Sequence, residues 1–245
     1  MAKRFLVVAA QKEELDGLFF DKKNVKKVSD FFVLEEDEII IYGMIGGIGK
    51  VAMAYRLGSF LQNFQIDEII NIGVAGSTSN EIKPLDTLVA TKCAYHDVDV
   101  TPFGYKKGQM AQMPLYYECD KRAVDYALSL NEKNIKTGLV VSGDVFVTKA
   151  NLSSDIYENF DNPVACDMES AAVGQVAHIA KKPYIIIRTI SDDPANESNK
   201  DTYEQRLNDA SKEAGKFCYR LIEELAKNQY INSTIKVLNT KICKN

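Results

Sequence analysis

A chain of 245 residues, 46% hydrophobic and 26% charged, has the size and composition of one large globular domain with a full core. A net charge of −4 without a concentrated basic stretch argues against a nucleic-acid binder, and no apolar run reaches the ~20 residues that span a bilayer. Five scattered cysteines, none in a CxxC pair, read as reduced thiols of a cytoplasmic protein, and the block Phe5–Ala10 is too short for a signal peptide.

In chain order, Phe5–Ala10 reads as a strand, with the acidic pair Glu13-Glu14 after it. Lys22, Lys23, Lys26 and Lys27 read as a solvated turn. Phe31–Leu34 and Glu38–Met44 read as two strands around Glu35-Glu36-Asp37. Gly46-Gly47-Ile48-Gly49-Lys50 opens a helix that runs to about Asn63, and Glu68–Ile72 is a strand before Gly73-Val74-Ala75-Gly76-Ser77. Leu85–Tyr95 is a long β run, Lys121–Leu130 a helix, and Gly138–Val141 a strand leading into Ser142-Gly143-Asp144-Val145-Phe146-Val147. Strands Pro163–Asp167 and Tyr184–Ile190 flank a helix of small residues. The last helix, about Tyr203 to Ala226, repeats Leu207, Ala210, Ala214, Phe217, Leu221 and Leu225 at helical spacing. Strands separated by helices imply a mostly parallel, helix-covered sheet. Residues 1–227 read as one domain and 228–245 as an irregular, loosely ordered tail.

Three strand ends thus deliver acids: Glu13-Glu14, Asp167-Met168-Glu169-Ser170 and Ser191-Asp192-Asp193. In an open α/β sheet, ligand crevices form at such ends, and a carboxylate there costs free energy unless it is paired or used. Taken singly, Asp192 also fits a helix cap and Glu169 an acid in a first helical turn. Three together favour a shared site, and with two histidines in the chain its acid–base chemistry falls to carboxylates. The two glycine segments fit either tight turns or close backbone approach to a ligand, and neither has P-loop spacing. His96, Asp97 and Asp99 are too closely spaced to put three metal ligands on one strand face, so no metal site is expected.

Taken in order, Ala10-Gln11-Lys12-Glu13-Glu14, Gly47-Ile48-Gly49-Lys50, Gly73-Val74-Ala75-Gly76, Tyr95-His96-Asp97-Val98-Asp99, Ser142–Val147, Asp167–Ala171 and Ile190-Ser191-Asp192 resemble the 5′-methylthioadenosine/S-adenosylhomocysteine nucleosidases of the nucleoside phosphorylase superfamily. The resemblance spans nearly the whole chain. It implies a three-layer α/β fold with a central twisted mixed sheet. It also implies hydrolysis of the bond between adenine N9 and the ribose, with neither metal nor organic cofactor. By matching position, Glu14 is the water-activating base and Asp192 the acid at adenine N7. Met168 and Glu169 contact the ribose, Phe146 stacks on adenine, and the Val147 backbone meets the adenine edge. Ile48 lines the 5′-thio pocket, Gly76 lies in the substrate loop, and Ser191 stands with Asp192 in the same set. The family is a homodimer in which the loop matching Val100–Tyr105, Phe103 included, closes the partner's pocket.

Three positions depart from the family pattern: Asp167 replaces a glutamate, Val74 a small polar residue and Gln11 a methionine. The nearest rival is a purine nucleoside phosphorylase, which needs basic groups for phosphate. The glycine loops carry no arginine, and Glu14 would repel an anion beside it. A non-catalytic nucleoside-binding protein on the same scaffold would have lost Glu14 or Asp192, and both are present.

Overall fold

The computed structural model describes residues 2–130, 134–148, 154–193 and 199–242. The runs rich in Ile and Val become the strands of one sheet: β1 (Lys3–Ala9), β2 (Lys26–Val28), β3 (Phe31–Glu36), β4 (Ile39–Ile45), β5 (Glu68–Ser77), β6 (Thr87–Tyr95), β7 (Tyr117–Glu118), β8 (Ile135–Ser142), β9 (Pro163–Asp167) and β10 (Tyr184–Asp192). Strands β5 and β10 are buried along their whole length and β1 at every residue but Arg4, as strands covered on both faces must be. Helices α1 (Lys12–Phe19), α2 (Lys50–Asn63), α3 (Lys121–Ser129), α4 (Ser154–Asn159), α5 (Ser170–Ala180) and α6 (Asn199–Ile242) complete the chain.

The sheet is mixed, as the resemblance implies, and less parallel than the alternation of elements suggests. Strand β1 lies parallel to β4 and β5, β10 parallel to β5, and β8 parallel to β6 and β9. The pairs β2–β3, β3–β4, β5–β9, β6–β7 and β6–β10 are antiparallel. Because β10 pairs with β5 and β6, and β9 with β8 and β5, strands β5, β10, β6, β8 and β9 close into a ring. Gly76 of β5 stands opposite Cys166 of β9 in an antiparallel pair. The chain leaving β9 at Asp167 therefore runs back beside β5, which brings Met168 and Glu169 to the same space as Val74, Ala75 and Gly76.

Several expectations need correction. Lys26-Lys27-Val28 is an exposed edge strand and not a turn; its lysines face solvent on the open rim of the sheet, where charge discourages edge-to-edge pairing. Gly73–Ser77 is not a turn either, because β5 runs through it in register with β10. Helix α6 continues to Ile242, so 228–242 is helical and not irregular, while 243–245 lie outside the described residues. Ala210, Ala214, Phe217, Leu221 and Leu225 form the buried face of α6, as their spacing predicts. Cys93, Cys119, Cys166 and Cys218 are buried free thiols; Cys243 lies outside the described residues.

Candidate active site

The three acid-bearing strand ends meet. A cavity of about 300 Å³ is lined by Glu14 from α1, Ala75 and Gly76 from β5, and Phe146 and Val147 beyond β8. Met168 and Glu169 beyond β9, Ser191 and Asp192 of β10, Ile48, Gln11 and Tyr203 complete most of its wall. Every candidate site residue read from the sequence lines it except Phe103. Phe103 lies on a 3-10 turn, Thr101–Phe103, with 82% of its surface exposed, outside its own chain's cavity.

Glu14 is the third residue of α1, whose N-cap is Gln11. Its Oε2 accepts the Gln11 backbone N–H at 2.9 Å, as in a capping box, and its Oε1 accepts the Val74 N–H at 3.1 Å. A glycine at position 73 makes room for this approach, because a Cβ there would lie 2.7 Å from Glu14 Oε1. Burial raises the Glu14 pKa above the ordinary carboxylate value; Arg188 and the backbone N–H donors oppose the shift without cancelling it.

Glu169 is the N-cap of α5. Its Oε1 accepts the Gly49 N–H at 2.7 Å. Gly49 has φ 85, and a Cβ there would sit 3.0 Å from Asp144 Oδ1, so the loop needs glycine at this point. Burial, and next the charge of Asp167, push Glu169 up to about 8. Asp192 is buried, and its Oδ1 accepts the Ser191 hydroxyl at 2.6 Å. Lys50, the one cation of the first glycine segment, is engaged elsewhere. It pairs with Asp97 at 2.6 Å and Asp144 at 3.6 Å, which ties α2 to the segment beyond β8.

Beneath the carboxylates lies a network that sequence reading missed. Arg188 sits inside β10, 2% exposed. Its Nε donates to Asp167 Oδ2 at 2.8 Å, and its Nη2 donates to Asn71 Oδ1 and, at 2.9 Å, to Ser170 Oγ. Asp167 also accepts from Ser142 Oγ at 2.5 Å and from the Ser170 hydroxyl. The aspartate that stands in for glutamate is thus fully engaged by neighbours on β8, α5 and β10. The signal available in the sequence was an arginine in the run Tyr184–Ile190, since a charge inside a buried strand requires a partner. Tyr203 was also missed as a wall residue. Its ring meets Phe146 edge-on, with centroids 5.7 Å apart.

A family model described as the phosphorylase superfamily matches residues 7–223. A 5′-methylthioadenosine/S-adenosylhomocysteine nucleosidase of Desulfotalea psychrophila is 31% identical over 226 residues, covering 89% of this chain and 97% of the relative. The chain belongs to this nucleosidase family. The Actinobacillus succinogenes nucleosidase is 34% identical over 89% of this chain and 96% of its own. Among solved structures, the Streptococcus pneumoniae nucleosidase with the transition-state inhibitor MT-ImmA matches with a TM-score of 0.85 at 33% identity, covering 91% of this chain and 99% of that one. The Streptococcus pyogenes S-adenosylhomocysteine nucleosidase in complex with 5-methylthiotubericidin matches with a TM-score of 0.85 at 32% identity, over 91% and 98%. This nucleosidase family accounts for the order of motifs along the chain, and no helix among the described residues is long and apolar enough to cross a membrane.

Proposed function

We propose that this chain hydrolyses the N-glycosidic bond of 5′-methylthioadenosine and S-adenosylhomocysteine, and of 5′-deoxyadenosine, releasing adenine and the corresponding ribose in methionine salvage and methyl-cycle recycling. The observation that carries the reading is the meeting of Glu14, Glu169 and Asp192 at one cavity in a member of this family. In this reading Phe146 stacks on adenine, the Val147 backbone meets its edge, and Asp192 protonates N7 so that adenine leaves as a neutral molecule. Positive charge then builds on the ribose. The ionised Glu14 stabilises it, in a desolvated setting where electrostatic effects are large. Glu14, with its raised pKa, is matched to taking a proton from water as water adds to the sugar carbon. Met168 and Glu169 contact the ribose, with Glu169 accepting from its hydroxyls; Ile48, Gly76 and Ser191 complete the wall.

The cavity wall argues for water over phosphate as the nucleophile. Among the described lining residues none is Lys, Arg or His, and Arg188 spends its donors on Asp167, Asn71 and Ser170. A phosphate dianion would face carboxylates with nothing to neutralise it. Incubation with 5′-methylthioadenosine in phosphate-free buffer tests this: free adenine and free 5-methylthioribose are expected. Adenine release in proportion to added phosphate, with a ribose 1-phosphate product, would assign a phosphorylase instead.

In the same reading residues 1–227 are the nucleosidase unit, with 228–245 appended, and the protein works in the reducing cytoplasm. It acts as a homodimer whose Val100–Tyr105 segments close each other's pockets. The 82% exposure of Phe103 and the 80% and 74% exposure of Val51 and Tyr55 support an apolar contact face. Light scattering should give a dimer, and Phe103→Ala should raise KM for thio-substituted nucleosides more than for adenosine. A fully active monomer would refute the shared pocket.

A further inference from the structure

Gln11 and Tyr203 stand 192 positions apart in sequence and join at the cavity wall, where Gln11 Nε2 donates to the Tyr203 hydroxyl at 2.7 Å. Each end of this clasp touches a group with an assigned task in the reading above. The Gln11 backbone N–H holds Glu14 Oε2 at 2.9 Å, and the Tyr203 ring lies edge-on against Phe146. The clasp therefore spans the wall between the carboxylate facing the sugar and the ring facing the base.

Its place in the α1–α6 packing gives it a mechanical role. Helix α1 has eight residues, too few to hold their own geometry in water. At Gly17 it presses backbone to backbone on α6: a Cβ there would fall 2.1 Å from Ser211 O, and one on Gly215 would fall 2.2 Å from the Gly17 carbonyl carbon. The Gln11–Tyr203 clasp is the second tie, at the other end of α1. Glu14 lies midway between the two ties, three residues from each. With the clasp gone, the start of α1 loses its side-chain tie to α6 while the far end stays packed at the glycine contact and through Leu15 and Leu18, so the helix can tilt about that far end and carry Glu14 with it.

We infer that Gln11 and Tyr203 are a positioning pair that fixes α1, and with it the Glu14 carboxylate, against the bound nucleoside. This rests on the nucleosidase reading for what Glu14 does, but not for where it is held. A displacement well under 1 Å at a reacting group is enough to slow chemistry while leaving binding nearly intact.

The test uses the full chain with Tyr203→Phe, Gln11→Met and the double variant, measuring kcat and KM for 5′-methylthioadenosine and amide hydrogen exchange along α1. Each single variant should lose roughly tenfold in kcat with KM changed less than about threefold, and the double should be no slower than the slower single, because both remove one shared contact. Exchange at Leu15–Phe19 should quicken in all three. Losses that multiply in the double variant, a wild-type kcat, an effect confined to KM, or unchanged exchange in α1 would each overturn the pair. If the unaltered protein itself releases no adenine, the nucleosidase reading fails, and exchange in α1 alone decides whether the clasp holds the helix.

Discussion

Glu14 combines two properties that oppose each other in water. It is 5% exposed, which resists ionisation, and it accepts two backbone N–H groups, which favours it. Burial wins, leaving a carboxylate with raised proton affinity and fixed direction. Glu14→Gln keeps the shape and removes the proposed base, so turnover should fall by ~10²–10⁴-fold while the thermal midpoint and binding of a substrate analogue stay close to wild type. Asp192→Asn should cost a comparable factor through the leaving group. Near-normal turnover in the first variant would show that another group activates water. Both acids were legible in the sequence because each follows an apolar run that ends abruptly in charge. Arg188 was only half legible: a cation inside an apolar run signals a buried partner, but Asp167, Asn71 and Ser170 lie far from it in sequence. Tyr203 was not, because a hydrogen bond to Gln11 leaves no trace near either residue.

At the scale of elements, the strands were legible and their punctuation less so. Runs of apolar residues define β1 and β10, because a strand buried on both faces has no other composition, and a similar run marks the half-buried β4. Helix α1 escaped notice. Its Gln-Lys-Glu-Glu start has the polarity of a turn, and its helical state depends on packing against α6. Gly73-Val74-Ala75-Gly76 fits a turn or a close approach equally well, and the strand continues through it, with Gly73 leaving room for Glu14. The same packing argument makes a prediction about α1. Gly17→Ala would put a methyl group 2.1 Å from Ser211 O, where both neighbours are helix backbone and neither can step aside. The helices must separate, so stability should fall by about 2 kcal/mol or more, and activity should fall with it as Glu14 moves. Unchanged thermal stability would mean that α1 and α6 are less closely packed than this contact requires.

At the scale of the molecule, the alternation of strands and helices pointed to a layered α/β sheet, but the closure of β5, β10, β6, β8 and β9 into a ring depends on pairings between residues far apart in sequence. The ring gives the molecule two ends of different character. At the end away from the cavity, Glu68 begins β5 with its side chain 0% exposed; its Oε2 accepts Arg122 Nη2 at 2.8 Å, and its buried Oε1 has no partner among the described residues. Burial, and next the charge of Asp120, push Glu68 up to about 7 despite Arg122 and Lys3. At the cavity end, Glu169 is pushed up to about 8 and Glu14 is also raised. An acid whose pKa is higher in the folded chain than in the unfolded one binds more protons when folded. Its contribution to stability is complete below the unfolded value, near 4.5, and is lost as pH rises through the folded value. For Glu68 this places the loss between pH 4.5 and about 7, with a size of about 3 kcal/mol. Glu68→Gln removes that titration without touching the cavity. Urea midpoints measured from pH 4.5 to 7.5 should therefore fall more steeply for the wild-type chain than for the variant, and the gap between the two curves should change most steeply about midway between the two values, near pH 5.5 to 6. Parallel curves would mean that Glu68 ionises in the folded protein as readily as in the unfolded one, with Arg122 offsetting its burial in full.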